Sequence, residues 1–97
     1  MHRKREEIMP TVNEILKEQF MEPLGLSGYM IAKRIHVPVS RVFEIISGKR
    51  RITADTSLRL GKLFGVEDDY FLTLQGRDDI EELRETLREE LRNIREI

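Results

Sequence analysis

The sequence predicts an all-helical fold of five short helices followed by a longer, acidic one. Apolar residues recur at steps of three and four, β-branched residues are scattered instead of alternating, and Asn-Gly or Asp-Gly hairpin signals are absent. At 97 residues one domain is the default, with enough length for a modest core. There are no cysteines, which excludes disulfides, thiolate metal sites and cysteine nucleophiles. Apolar runs stay too short to span a bilayer, so no membrane partner is expected. The opening Met1-His2-Arg3-Lys4-Arg5-Glu6-Glu7 is basic without an apolar stretch behind it, so a secretory signal is not expected and the cytoplasm is the simplest address.

Residues 1–10 read as a flexible N-terminal segment. Thr11-Val12-Asn13-Glu14 is a capping box, and Val12, Ile15, Leu16 and Phe20 follow at helical spacing, giving a first helix over about 12–22. Glu22-Pro23-Leu24-Gly25-Leu26 breaks it. Ser27 caps a second helix ending near Ile35, with Ala32, Ile35 and either Met30 or Ile31 turned inward. His36-Val37-Pro38 is a tight turn, and a left-handed turn position tolerates His better than most side chains. Pro38 preorganises a third helix over about 39–47, closed by Gly48. Thr53 caps a fourth helix that runs to Phe64 with Gly65 beyond it. Gly61 inside that helix costs about 1 kcal/mol unless a close approach requires it. Asp68 and Asp69 sit in the first turn of a fifth helix, whose Phe71, Leu72 and Leu74 face the core together with Tyr70.

Charge is unevenly distributed. Residues 33–62 carry eight cations against Glu44 and Asp55, a net charge of +6, whereas residues 78–97 carry eight carboxylates against four arginines, a net charge of −4. The middle suits a polyanion and the end suits a basic surface. After Gly76, residues 77–97 read as a separate amphipathic acidic helix with Ile80, Leu83, Leu87, Leu91, Ile94 and Ile97 in one narrow stripe. That stripe needs a partner surface, set against packing back on the domain, self-association or fraying.

Two short helices joined by a three-residue turn form a helix-turn-helix, which makes residues 11–76 the DNA-binding domain. Ala32 allows a close crossing, and Ile35, Val37, Val42 and Ile45 fill the wedge. The third helix then presents Val39, Ser40, Arg41, Phe43 and Glu44 outward, with Val42, Ile45 and Ile46 inward. An α-helix fits the major groove, where Arg41 can bond guanine O6 and N7, Glu44 can accept from cytosine N4, and Val39 and Phe43 can meet thymine methyls. Ser40 serves a base or a phosphate. Phe43 packed against the first or fourth helix is the alternative that its helical phase disfavours. Lys49, Arg50, Arg51 and Thr53 follow directly, where phosphates are the natural ligands; plain solvation is the alternative.

These residues resemble a known family. Leu24-Gly25-Leu26-Ser27, Ile31-Ala32-Lys33, Val37-Pro38-Val39-Ser40-Arg41-Val42, Glu44-Ile45-Ile46-Ser47-Gly48-Lys49-Arg50-Arg51-Ile52-Thr53-Ala54-Asp55-Thr56, Leu58-Arg59-Leu60 and Phe71-Leu72-Thr73-Leu74-Gln75 look like the HigA/VapI-type antitoxins. Those belong to the lambda-repressor-like (XRE) helix-turn-helix superfamily, and the match runs over roughly residues 13–77. The resemblance implies a five-helix lambda-repressor-like domain, a homodimer, and a cognate basic toxin that is a RelE-like, ribosome-dependent mRNA-cleaving RNase. It also implies repression of the protein's own operon through double-stranded DNA, at a palindromic operator. Its recognition positions are Val39, Ser40, Arg41 and Phe43, and its phosphate contacts Ser27, Lys49, Arg50, Arg51 and Thr53. Departures include His36 where the family has a turn glycine and Phe43 where a small polar residue is common, so the operator should differ. The sequence holds no Ser/His/Asp or metal-ligand arrangement, so neither an enzyme nor a cofactor is expected. The competing readings are a stand-alone regulator of the same fold without a toxin, and a protein-interaction module that retains the fold without binding DNA.

Overall fold

Thr11 caps the first helix in extended conformation, its hydroxyl accepting from Glu14 N and its own N–H donating 3.0 Å to the Glu14 carboxylate. In this computed structural model, which describes residues 10–97, the capping box therefore forms as the sequence predicts. Helix α1 (residues 12–24) is α-helical over Val12–Ile15, widens to a π-helix over Leu16–Met21, and closes with Glu22–Leu24. The end lies later than expected, because Pro23 sits inside the helix and does not stop it. A regular α-turn would press the proline ring against the carbonyl four residues back, and the wider π-turn ahead of it relieves that contact. Gly25, at φ 65°, ends α1.

Helix α2 (Gly28–Ile35) starts at Ser27, whose Oγ accepts from Met30 N at 3.1 Å. Ile31, Ala32 and Ile35 are buried and Met30 is turned out, so Ile31 is the inward residue. His36 takes the left-handed conformation, φ 62°, that the turn requires. Helix α3 (Val39–Ile46) follows, with Pro38 as its cap just outside the first turn. Gly48 adopts φ 83° and reverses the chain. Helix α4 (Ala54–Phe64) is capped by Thr53 and closed by Gly65. Helix α5 (Tyr70–Thr86) begins after Asp68 and Asp69, which lie ahead of its first turn instead of within it. Helix α6 (Arg88–Arg92) completes six helices among the described residues, with no strand.

The core is one cluster. Ile31, Ala32 and Ile35 of α2 meet Val42 and Ile45 of α3, and Leu16, Leu60 and Phe71 bring in α1, α4 and α5. Phe20 joins Phe64 and Phe71 at ring-centroid distances of 4.8 and 5.3 Å, and Tyr70 stands edge-on to Phe71. Such tilted and edge-to-face contacts add to what area burial alone contributes.

The C-terminal part departs from expectation. Helix α5 runs unbroken through Gly76, so the expected division between residues 11–76 and 77–97 falls inside a helix. The break comes at Leu87, ψ 11°, beside a Thr86 hydroxyl that donates to Glu82 O at 3.3 Å; such back-bonding bends helices. Residues 93–97 are not helical, so Ile94 and Ile97 lie beyond the end of the stripe's helix. The expected flexible segment falls on residues 1–9, outside the described residues, apart from Pro10. No helix of the described residues is long and apolar enough to cross a membrane.

Candidate nucleic-acid interface

Helix α3 buries Val42 and Ile45, each 3% exposed, because positions three apart share one face. Ile46, expected inside with them, is only partly buried. Ser40 and Phe43 lie on the exposed side, with Val39, Arg41 and Glu44 half-buried at its margins. Phe43 is 51% exposed, so it is neither core nor free. A Cβ on Gly28 would stand 3.2 Å from the edge of its ring and 3.3 Å from Ile46 Cδ1. The glycine at the first residue of α2 thus lets the ring rest there, and a larger residue would shift the ring by a few tenths of an ångström. The Ser27-Gly28 pair is the signal for this, a cap residue followed directly by a residue without a side chain.

The basic loop after α3 is held from several sides. Glu44 O accepts from both Lys49 N and Arg50 N, and Asn13 Nδ2 donates to Ile46 O at 3.3 Å. Ile52 is pinned by the buried Gln75 of α5, whose Oε1 accepts from Ile52 N and whose Nε2 donates to Ile52 O, both at 2.8 Å. A buried side-chain amide satisfying both backbone groups of one residue fixes the loop as a strand partner would. Gln75 was visible in the sequence only as the last letter of the Phe71–Gln75 similarity.

Two of the three loop cations are already paired. Arg50 Nε donates to Glu44 Oε1 at 2.8 Å, so a cytosine contact by Glu44 requires giving up that pair. Arg51 grips Asp79 of α5 with both amino groups, at 2.6 and 3.1 Å. This fork-on-fork hydrogen bonding pulls the Asp79 carboxyl below the usual carboxylate range and raises Arg51 further. Lys49 makes no ion pair with any described residue. Ser27 and Thr53 are exposed caps, and the free N–H groups of α2 and α4 beside them form positions suited to phosphate oxygens.

Arg41 is not free either. Its Nη1 lies 3.3 Å from Asp55 Oδ1, and the same oxygen accepts from Arg59 Nε at 2.7 Å. The hydrogen bond from Arg59, with smaller help from Arg41, holds the Asp55 carboxyl below its ordinary range. The stripe residues Ile80, Leu83, Leu87 and Leu91 line one exposed face of α5 and α6 beside Arg84, with Ile94 past the end. Asp55, Asp79, Gln75 and Gly28 thus join the candidate interface from outside the set expected from sequence.

A helix-turn-helix family model matches residues 16–71. Virulence-associated protein I of Dichelobacter nodosus is 43% identical over 74 residues, spanning 74% of this chain and 68% of that protein. An addiction module antidote protein of a HigA family from Coxiella burnetii is similar in structure, with a TM-score of 0.82 and 32% identity over 92% of this chain and 98% of that one. The structure of Pseudomonas aeruginosa antitoxin HigA with the higBA promoter also has a TM-score of 0.82, over 92% and 98% of the two chains; at 22% identity this is a likeness of fold.

Proposed function

The chain belongs to the helix-turn-helix family of XRE type, alongside proteins named virulence-associated protein I and HigA, and we propose that it is a HigA-type antitoxin that represses its own operon. The carrying observation is the α3 face. Ser40, Arg41 and Phe43 stand at the surface while Val42 and Ile45 anchor the helix, and the cationic loop and two exposed helix caps flank them. A homodimer sets two such helices into successive major grooves, about 34 Å apart or a multiple of it, which calls for a palindromic operator. Val39, Ser40, Arg41 and Phe43 read bases. Lys49, Arg50, Arg51, Ser27 and Thr53 meet phosphates, with DNA oxygens replacing Asp79 and Glu44 on the two arginines. Glu44 serves chiefly to orient Arg50 and reaches a base only where that pair opens. The promoter-bound neighbour of the same fold supports this reading.

The partner to be neutralised is a basic, RelE-like RNase acting in the cytoplasm, held in part by the acidic face of α5 and α6. Ile80, Leu83, Leu87 and Leu91 supply the apolar contact there, with the acids 78–90 around them. Truncation after Gly76 is a poor test, because it also removes Asp78, whose carboxylate accepts from Val12 N at 2.8 Å and caps α1. Leu87→Asp in the full chain is cleaner; full neutralisation of the toxin by that variant rejects the tail's role. Absence of any partner gene leaves the stand-alone regulator.

DNA binding is tested by gel-shift titration on the region upstream of the gene. Tight binding that weakens steeply with salt is expected, and none at all would leave an interaction module. Arg41→Ala should cost about 1–3 kcal/mol and relax specificity at one base pair, whereas Arg50→Ala should weaken all sequences alike. Unchanged operator discrimination in Arg41→Ala would remove it from the reading set.

A further inference from the structure

We propose that Asp55, from outside the base-reading face, is a specificity-determining residue that holds Arg41 in position to read a guanine. This rests on Arg41 as a base-reading residue and deepens that reading. Asp55 is the hub of a chain of contacts through three helices. Ile35 O at the end of α2 accepts from Arg59 Nη1 at 2.7 Å, with His36 O a longer second acceptor at 3.4 Å. Arg59 Nε donates to Asp55 Oδ1 at 2.7 Å, and Asp55 Oδ1 reaches Arg41 Nη1 at 3.3 Å. The carboxylate is therefore fixed to the α2–α3 turn, not left swinging on its own helix.

An unrestrained arginine samples many rotamers, and ordering it on a base costs affinity that a preorganised one keeps. Engaging Nη1 leaves Nε and Nη2 along the other edge of the guanidinium, a two-donor edge that suits guanine O6 and N7 and no other base. The lengths decide between holding Arg41 ready and holding it back. The short bond goes to Arg59, which offsets most of the Asp55 charge, and the long one goes to Arg41. A contact at 3.3 Å orients without capturing. An aspartate this close to the groove otherwise works against binding, since it repels the phosphates.

The test uses the full chain in four forms, wild type, Asp55→Asn, Arg41→Ala and the double variant. Each is titrated against a panel of operators substituted one base pair at a time and against unrelated DNA at several salt concentrations. Asp55→Asn should lower the preference for guanine at the Arg41 base pair by about tenfold, while binding to unrelated DNA tightens because a negative charge has gone. The opposite signs matter, since a merely structural loss would weaken both together. The double variant should lose no more discrimination than Arg41→Ala alone. If Arg41→Ala loses discrimination and Asp55→Asn keeps or sharpens it, the positioning role is overturned and base reading by Arg41 stands. If Arg41→Ala itself keeps discrimination, both fall.

Discussion

At Gly61 an added Cβ would stand 2.9 Å from Glu67 O and 3.2 Å from Val66 O, backbone atoms of the turn that leaves α4. Glycine in mid-helix is unfavourable by about 1 kcal/mol against alanine, so its presence there has to be offset by that close approach. Gly76 sits in mid-helix too, but its Cβ would meet nothing within 4 Å. The two sites therefore make opposite predictions for one substitution. Gly76→Ala should stabilise by about 0.5–1 kcal/mol through helix propensity alone. Gly61→Ala should destabilise by about 1–2 kcal/mol, the overpacking strain exceeding the propensity gain. Urea midpoints of the two variants check this, and a gain at Gly61 would show that the 66–67 turn yields easily. Sequence could flag Gly61 as a choice between cost and need; only the neighbouring carbonyls decide it.

Among the elements, the cationic loop depends on a residue 23 positions away. Without Gln75, the N–H and C=O of Ile52 lose their partners in a buried setting, and each such loss costs about 1–3 kcal/mol. Gln75→Ala should therefore destabilise the fold by about 2–4 kcal/mol and speed amide exchange at Ile52. On the phosphate role proposed for this loop, it should also weaken DNA binding on all sequences, since the loop loosens while α3 stays in place. Unchanged exchange at Ile52 would contradict the clamp. Local signals served well where the determinant is local. The caps at Thr11, Ser27 and Thr53, the left-handed His36 and the stops at Gly48 and Gly65 all stand where sequence put them. They failed at Pro23, which a π-turn accommodates, and at Gly76, where no break occurs because residues on either side continue a favourable helix.

Across the whole molecule, α5 ties its acids back onto α1 and the cationic loop. Asp78 accepts from the first turn of α1, and Asp79 holds Arg51. The Asp79 carboxyl is protonated in the unfolded chain before it is protonated in the folded one, because the folded pKa is the lower. Its contribution to stability is complete above an ordinary aspartate's range, about pH 4, and fades as the pH falls through the lowered folded value. Asp55 has the same sign. The urea midpoint of Asp79→Asn should accordingly fall less on acidification than that of the wild type. On the phosphate role proposed for Arg51, the same variant should bind every DNA sequence more tightly at neutral pH, with no carboxylate to displace. An identical acid profile would mean that the pair is too solvated to matter, as exposed ion pairs often are.

The amino-acid order by itself determined the helix starts and caps from Thr11 to Thr53, the turn between α2 and α3, and the exposure of Ser40 and Phe43 on α3, because each follows from spacing within a few residues. Tertiary structure alone decided which charges are spent. Arg41, Arg50 and Arg51 read as free cations along the chain, yet each meets a carboxylate, and two of those carboxylates come from other helices. Coulombic and hydrogen-bond partners act through space at about 3 Å, and no periodicity along the chain encodes which helix will bring them there.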